Sequence, residues 1–291
     1  MRGLFVLNRL RWPLRLPVKW AIFGLTFLIV CFPHPRLLLD HVRHWRDPNA
    51  LIEPNAPALQ GLAEELRMTV EGAATPRETL KAVERFVIQK IPYDWDWNTW
   101  GTADYMPSVT EAIEMGREDC DGRAVIAASL LANLGFEAFI VTDFAHVWVK
   151  TEEGEIMGPG KKKAVVATER GLKLQRGALA QLPRAFAYGI GPFPLARELI
   201  LVAVAWLLML RSGTGASRSI VALIFLVAGL LILKAGARDY HAPVVWQQFL
   251  GAANIAFGAA IMLFGRHRLS PAPTRAPSPD PAGRDRVETG L

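Results

Sequence analysis

The sequence predicts an α+β domain joined to about four transmembrane helices, and three observations carry that prediction. The hydrophobic fraction is 51%, and the excess gathers in residues 20–32, 199–210, 220–233 and 244–265, while residues 40–173 have a soluble protein's mix. Helices crossing a hydrocarbon core of roughly 30 Å draw on apolar segments of this kind. Within the soluble stretch, helix caps come first and strand patterns follow, the order of an α+β fold. Finally, the basic residues behind the net charge of +6 sit beside the apolar segments. That placement fits the positive-inside rule and argues against nucleic acid as a partner.

At the N-terminus, Arg2, Arg9, Arg11, Arg15 and Lys19 precede an apolar core that ends at Phe32, and Pro33-His34-Pro35 stands where a small-residue cleavage site would be. Residues 1–35 therefore read as a cytoplasmic basic tail and an uncleaved signal-anchor helix, with Lys19 snorkelling and Trp20 at the interface. Val30 is too large for a lipoprotein cleavage site before Cys31.

Residues 36–190 are the expected extracytoplasmic domain. Thr75-Pro76-Arg77-Glu78 is a capping box with proline at the first helical position, opening a helix to Lys90 that Pro92 stops. Ser108 and Glu111 cap a short second helix in the same way. Asp119 caps a third, which buries Ala124, Ala127, Ala128, Leu131 and Leu134 and stops at Gly135. Strand patterns follow at 136–142, 146–151, 155–157 and 164–168, with turns at 152–154 and 159–161, which together predict an antiparallel meander.

Residues 191–266 are the expected three-helix transmembrane region. Ala252, Ala256 and Ala260 form a small-residue stripe suited to close packing, and Gln247, Gln248 and Asn254 are expected to be interhelical hydrogen-bond partners or interface residues rather than a transport pathway. Residues 267–291 are proline-rich and read as a disordered tail. Four spans place both termini in the cytoplasm and the domain outside. A multi-pass protein of a bacterial inner membrane is expected, with the lipid bilayer and other membrane proteins as partners.

The chemistry concentrates at Cys120, which follows Asp119 at a helix start, and at His146, 26 residues later on a strand. A thiol at a helix N-terminus meets unpaired N–H groups and the positive end of the dipole, and a nearby histidine supplies a base. The Cys120 backbone N–H is a candidate oxyanion donor. Spacing alone leaves open a buried structural cysteine and a histidine that caps a sheet edge. His34, His41 and His44 have no accompanying acidic or thiol cluster, so they are expected to be juxtamembrane polar residues; no metal and no cofactor is called for.

The text Tyr105-Met106-Pro107-Ser108, Glu111, Arg117-Glu118-Asp119-Cys120-Asp121-Gly122-Arg123-Ala124, Leu134-Gly135-Phe136 and His146-Val147-Trp148 resembles the core of the transglutaminase-like superfamily over residues 75–160. That resemblance implies a papain-like core and a cysteine hydrolase or transamidase acting on amide bonds of a protein or cell-wall peptide, with Cys120 as nucleophile and His146 as base and acid. It also makes Trp100 and Tyr105 candidates for groove or oxyanion roles. Two positions depart from the pattern: Glu118 replaces a glycine, and Gly158 stands where an acid normally orients the imidazole. Glu155 or Asp143 is then the candidate substitute, or a backbone carbonyl or a water holds the ring. The alternative reading is a catalytically inactive binding domain in a membrane assembly.

Overall fold

A computed structural model describes residues 11–158, 165–168, 171–174, 179, 182–211, 214–238 and 244–264. The expected tail at 267–291, the first ten residues and the turn at 159–161 lie outside the described residues. The described elements are, first, the apolar α1 (Trp12–Cys31), then α2 (Pro35–Arg46) and α3 (Gln60–Val70). The chain continues with α4 (Pro76–Lys90), the short α5 (Asp96–Thr99), α6 (Val109–Met115) and α7 (Cys120–Asn133).

Both capping boxes form: the Glu78 N–H donates to Thr75 Oγ1 at 3.3 Å, and Ser108 and Glu111 exchange the same pair of bonds. Asp119 caps α7 by accepting the Asp121 N–H at 3.0 Å. Each such cap contributes about 1 kcal/mol and sets where the helix begins. For α7 that start places Cys120 at the first helical position.

Helix α7 is buried on every side, with Ala124 through Leu131 removed from solvent. Around it pack Ala63 and Leu66 of α3 and Leu80, Val83, Phe86 and Val87 of α4, together with sheet residues Ile140, Val147, Val149 and Ile156. The small residues Ala124, Ala127 and Ala128 allow this enclosure, and burial rather than helix propensity holds the element in place.

The sheet comprises β1 (Phe139–Thr142), β2 (Val147–Lys150), β3 (Glu155–Ile156), β4 (Val165–Thr168) and β5 (Gly171–Leu174), in the order β3-β2-β1-β4-β5. All pairings are antiparallel. The expected meander therefore holds only for β1, β2 and β3. After β3 the chain returns to the other edge of β1, where Val141 faces Val166, and β5 extends that edge. A β-strand has two edges, and the local pattern at 164–168 carries no information about which one it joins.

Beyond the sheet come α8 (Leu182–Ile190), α9 (Leu195–Met209), α10 (Ala216–Ala237) and α11 (Val245–Phe264). Among the described residues three helices are long and apolar enough to cross a membrane: Pro13–Cys31, Ala216–Ala237 and Val245–Phe264. The remaining expected span, α9, has 15 residues, or about 22 Å at 1.5 Å per residue, short of a hydrocarbon core of roughly 30 Å. It lies along α1, where Lys19 donates to the Leu208 carbonyl at 2.5 Å.

The alanine stripe also requires correction. Ala252 and Ala256 are exposed, and glycines make the close approach between α10 and α11. A Cβ on Gly251 would come within 2.6 Å of Leu233 N, and one on Gly258 within 2.9 Å of Ala222 O. Gln248 makes its interhelical bond, donating from Nε2 to Gly236 O at 3.0 Å, whereas Asn254 bonds Leu250 within its own helix.

Candidate functional site

The sheet brings the two chemical residues together. Strand β2 begins one residue after His146, and its Val147 N–H is directed at the Cys120 sulfur. Cys120 and His146 then line one cavity of about 220 Å³ with Ile88, Tyr93, Arg123, Val147, Met157 and Gly158. Both cysteines are free thiols; Cys31 is buried where α1 ends, and Cys120 is half-buried at the cavity.

The sulfur's surroundings are acidic. Cys120 donates to Asp121 Oδ1 at 3.2 Å. Burial, followed by the charges of Asp119 and Asp121, pushes the thiol well above its ordinary pKa. This reverses the expectation drawn from the helix N-terminus. The dipole favours a thiolate by a fraction of a unit charge, whereas desolvation and two adjacent carboxylates oppose it. Burial and neighbouring acids also raise Asp119, to about 7, and Asp121 well above the usual carboxylate range. Glu118, fully buried, is pushed to about 8 by burial and then by Asp119. Its side chain lies across Gly122, where a Cβ would come within 2.5 Å of Glu118 Cγ. Gly122 thus makes the room that Glu118 occupies.

On the opposite wall, the His146 ring lies parallel to Trp148, with centroids 6.1 Å apart and planes inclined at 18°. His146 Nε2 is 2.8 Å from the Met157 carbonyl. A carbonyl only accepts, so the ring proton is on Nε2 and Nδ1 is the basic nitrogen of the neutral imidazole. The backbone carbonyl expected as one way of holding the imidazole is therefore present. Met157 has φ +58 and its N–H donates to Glu84 Oε1 at 2.6 Å.

Gly158 has a steric reason. A Cβ there would meet Trp148 Cδ1 at 2.8 Å and Nε1 at 3.0 Å, and Trp148 is fully buried. An aspartate cannot be seated on that indole without moving it. Glu155 Oε2 accepts the Trp148 Nε1–H at 3.0 Å, so it supports the ring beneath His146. Asp143 Oδ1 accepts the Ala145 N–H at 3.1 Å and shapes the turn that precedes His146. That turn contains Phe144, which with Met157 makes two non-glycine residues of positive φ among the described residues, at φ +69. Such conformations persist only where surrounding contacts over-determine them, and they gather at functional sites.

Trp100 and Tyr105 lie away from the cavity lining. Trp100 Nε1 donates to Glu118 Oε1 at 3.1 Å, and the Tyr105 hydroxyl donates to Glu111 Oε1 at 3.0 Å. Trp100 thus serves the acidic cluster, and Tyr105 the Ser108–Glu111 cap. Sequence reasoning missed Tyr93 and Arg123. The Arg123 guanidinium sits over the Tyr93 ring at 5.1 Å and donates to the Ile91 carbonyl from Nε and Nη2. The signal was present: Arg123 is three residues after Cys120, on the same helical face. His41 and His44 hold the main chain of Met106, His41 Nδ1 accepting its N–H at 3.1 Å and His44 Nδ1 donating to its carbonyl at 2.6 Å.

Trp95 and Trp97 stack at 4.8 Å and reach the membrane-side segment, Trp95 contacting Tyr188 and Trp97 contacting Phe193. Arg197 of α9 donates to Gly101 O at 3.0 Å. The tryptophan-rich loop therefore packs the domain against its membrane-side helices.

A family model described as a family of unknown function (DUF7994) matches residues 197–277, which takes in α10, α11 and most of α9 and leaves the candidate site outside it. No curated protein and no solved structure matches the chain.

Proposed function

We propose that this protein is a membrane-anchored cysteine hydrolase or transamidase of transglutaminase-like type, with a papain-like core, acting on amide bonds of a protein or peptide. The observation that carries the reading is the shared cavity in which the residue next to His146 directs its N–H at the Cys120 sulfur, while the imidazole proton is committed to Met157. Because Cys120 rests as a neutral thiol, His146 serves as a general base during attack rather than as one half of a standing ion pair.

Sulfur bonds the amide carbon as Nδ1 takes the thiol proton. The tetrahedral intermediate collapses with cleavage of the C–N bond, and the imidazolium returns that proton to the departing amine. Water or a second amine then attacks the thioester, again through His146, and the thiol is restored. The signal anchor and the loop charges support a topology with the domain outside the membrane.

A second reading, a catalytically inactive binding domain, draws on the acidic wall that keeps the thiol protonated. The two separate by carbamidomethylation of the full-length protein in detergent with iodoacetamide at pH 7, with Cys120 read by peptide mass. His146→Ala is expected to slow Cys120 labelling at least tenfold. Equal rates in both proteins would sink the enzymatic reading.

A further inference from the structure

We infer that Glu84 is a positioning residue that sets the His146 imidazole through the main chain of Met157. The inference rests on the reading of Cys120 and His146 as a catalytic pair. Strand β3 is two residues long and ends at Ile156, so the sheet ladder does not hold Met157. Met157 nevertheless keeps φ +58, a conformation that costs a non-glycine residue of its size. Two hydrogen bonds hold it, one on each side of its Cα. Its N–H donates to Glu84 Oε1 at 2.6 Å, and its carbonyl accepts the His146 proton at 2.8 Å.

Glu84 comes from α4, 73 residues earlier in the chain. That helix is fixed in the core by Leu80, Val83, Phe86 and Val87. A hydrogen bond from a rigid helix is suited to holding a strained residue in register. On the other side Gly158 lies flat against Trp148, the ring stacked under His146. The carbonyl thus does the work usually given to an orienting side chain, and Glu84 holds the carbonyl. Glu84 does not line the cavity, so it acts through Met157.

The test is the pH profile of Cys120 carbamidomethylation by iodoacetamide in the full-length protein, comparing Glu84→Asp, Glu84→Gln and Glu84→Ala with His146→Ala. The other charged and titratable groups around the pair stay unchanged in the Glu84 variants: Asp119, Asp121 and Arg123 from α7, Tyr93 from the loop before α5, and Glu155 from β3. Asp keeps the charge but loses the reach, whereas Gln loses the charge but keeps an acceptor oxygen at the same distance. Glu84→Asp is expected to lose about tenfold of the His146-dependent rate at pH 7. Its histidine limb should move to lower pH, because the acceptor that favours the imidazolium is displaced.

Glu84→Gln is expected to stay within about threefold of the parent. Should Glu84→Ala fail to fold, the Asp and Gln pair decides the question. Glu84→Asp behaving like the parent overturns the inference and leaves the dyad standing, as does Glu84→Gln falling as far as Glu84→Asp. A parent profile identical to that of His146→Ala removes the dyad, and this inference with it.

Discussion

The two walls of the candidate site are built on opposite plans. Around Cys120, carboxyl groups crowd together: Asp96, Glu118, Asp119 and Asp121 are all buried, and burial or each other's charge raises all four. Around His146, polar groups are matched: a carbonyl on Nε2, an acid on the Trp148 indole and another acid on the Met157 N–H. One wall holds protons, and the other holds a ring in place. On the proposed reading, the difference assigns reactivity to an imidazole held in place rather than to a thiol ionised in advance.

Substitutions sharpen or break that contrast, and the largest effect belongs to the acidic wall. Gly122→Ala places a Cβ 2.5 Å from the buried Glu118 side chain and is expected to cost about 3 kcal/mol, read by chemical denaturation. On the matched wall, Gly158→Ala meets the fully buried Trp148. It should cost about 2 kcal/mol, and Cys120 labelling should slow in the same protein. If Gly158→Ala labels normally, the Trp148 shelf does not set the histidine.

The third prediction is a pH dependence. Glu118 titrates near 8 in the folded protein against 4.5 as its ordinary value, so between those limits the folded state holds a proton that the unfolded chain has released. Stability therefore falls as pH rises from about 5 to 8, and Asp119 adds the same sign between 3.8 and about 7. Glu118→Gln should remove on the order of 2 kcal/mol of that fall, which melting temperatures taken from pH 5 to 9 would reveal. Asp121→Asn replaces the carboxyl that accepts the Cys120 S–H with an amide and should speed Cys120 labelling about threefold at pH 8. No change would mean that Asp121 does not restrain the thiol. The smallest effect belongs to the ion pair of the exposed Arg117 with the half-buried Asp94 at 3.1 Å: Arg117→Ala should cost under about 1 kcal/mol.

Much of the site was legible because its signals are local. A capping aspartate, a stop at Gly135 and a run of small residues place Cys120 at the start of a buried helix, and a strand pattern opens at His146. Helix caps act within four residues and strand alternation within two, so a linear text carries both. The same locality misled elsewhere. The dipole at Cys120 was visible from its position, while the depth of burial that outweighs it was not. The spacing of Ala252, Ala256 and Ala260 suggested a packing face, yet the choice of face depends on a partner helix, and Gly251 and Gly258 make the contact.

By itself, then, the sequence determined the capped helices α4, α6 and α7, three of the four apolar helices it predicted as spans, the helix start that presents Cys120 and the strand that presents His146. Only the tertiary structure decided what holds the histidine. Gly158 looked like a missing acid until the indole of Trp148 was seen to fill its place, and Glu84 gave no sign of a role from 73 residues away. The physical reason is range. Caps and periodicity are written between neighbours, whereas desolvation, strand order and hydrogen bonds to a strained carbonyl depend on which distant segments the core brings together.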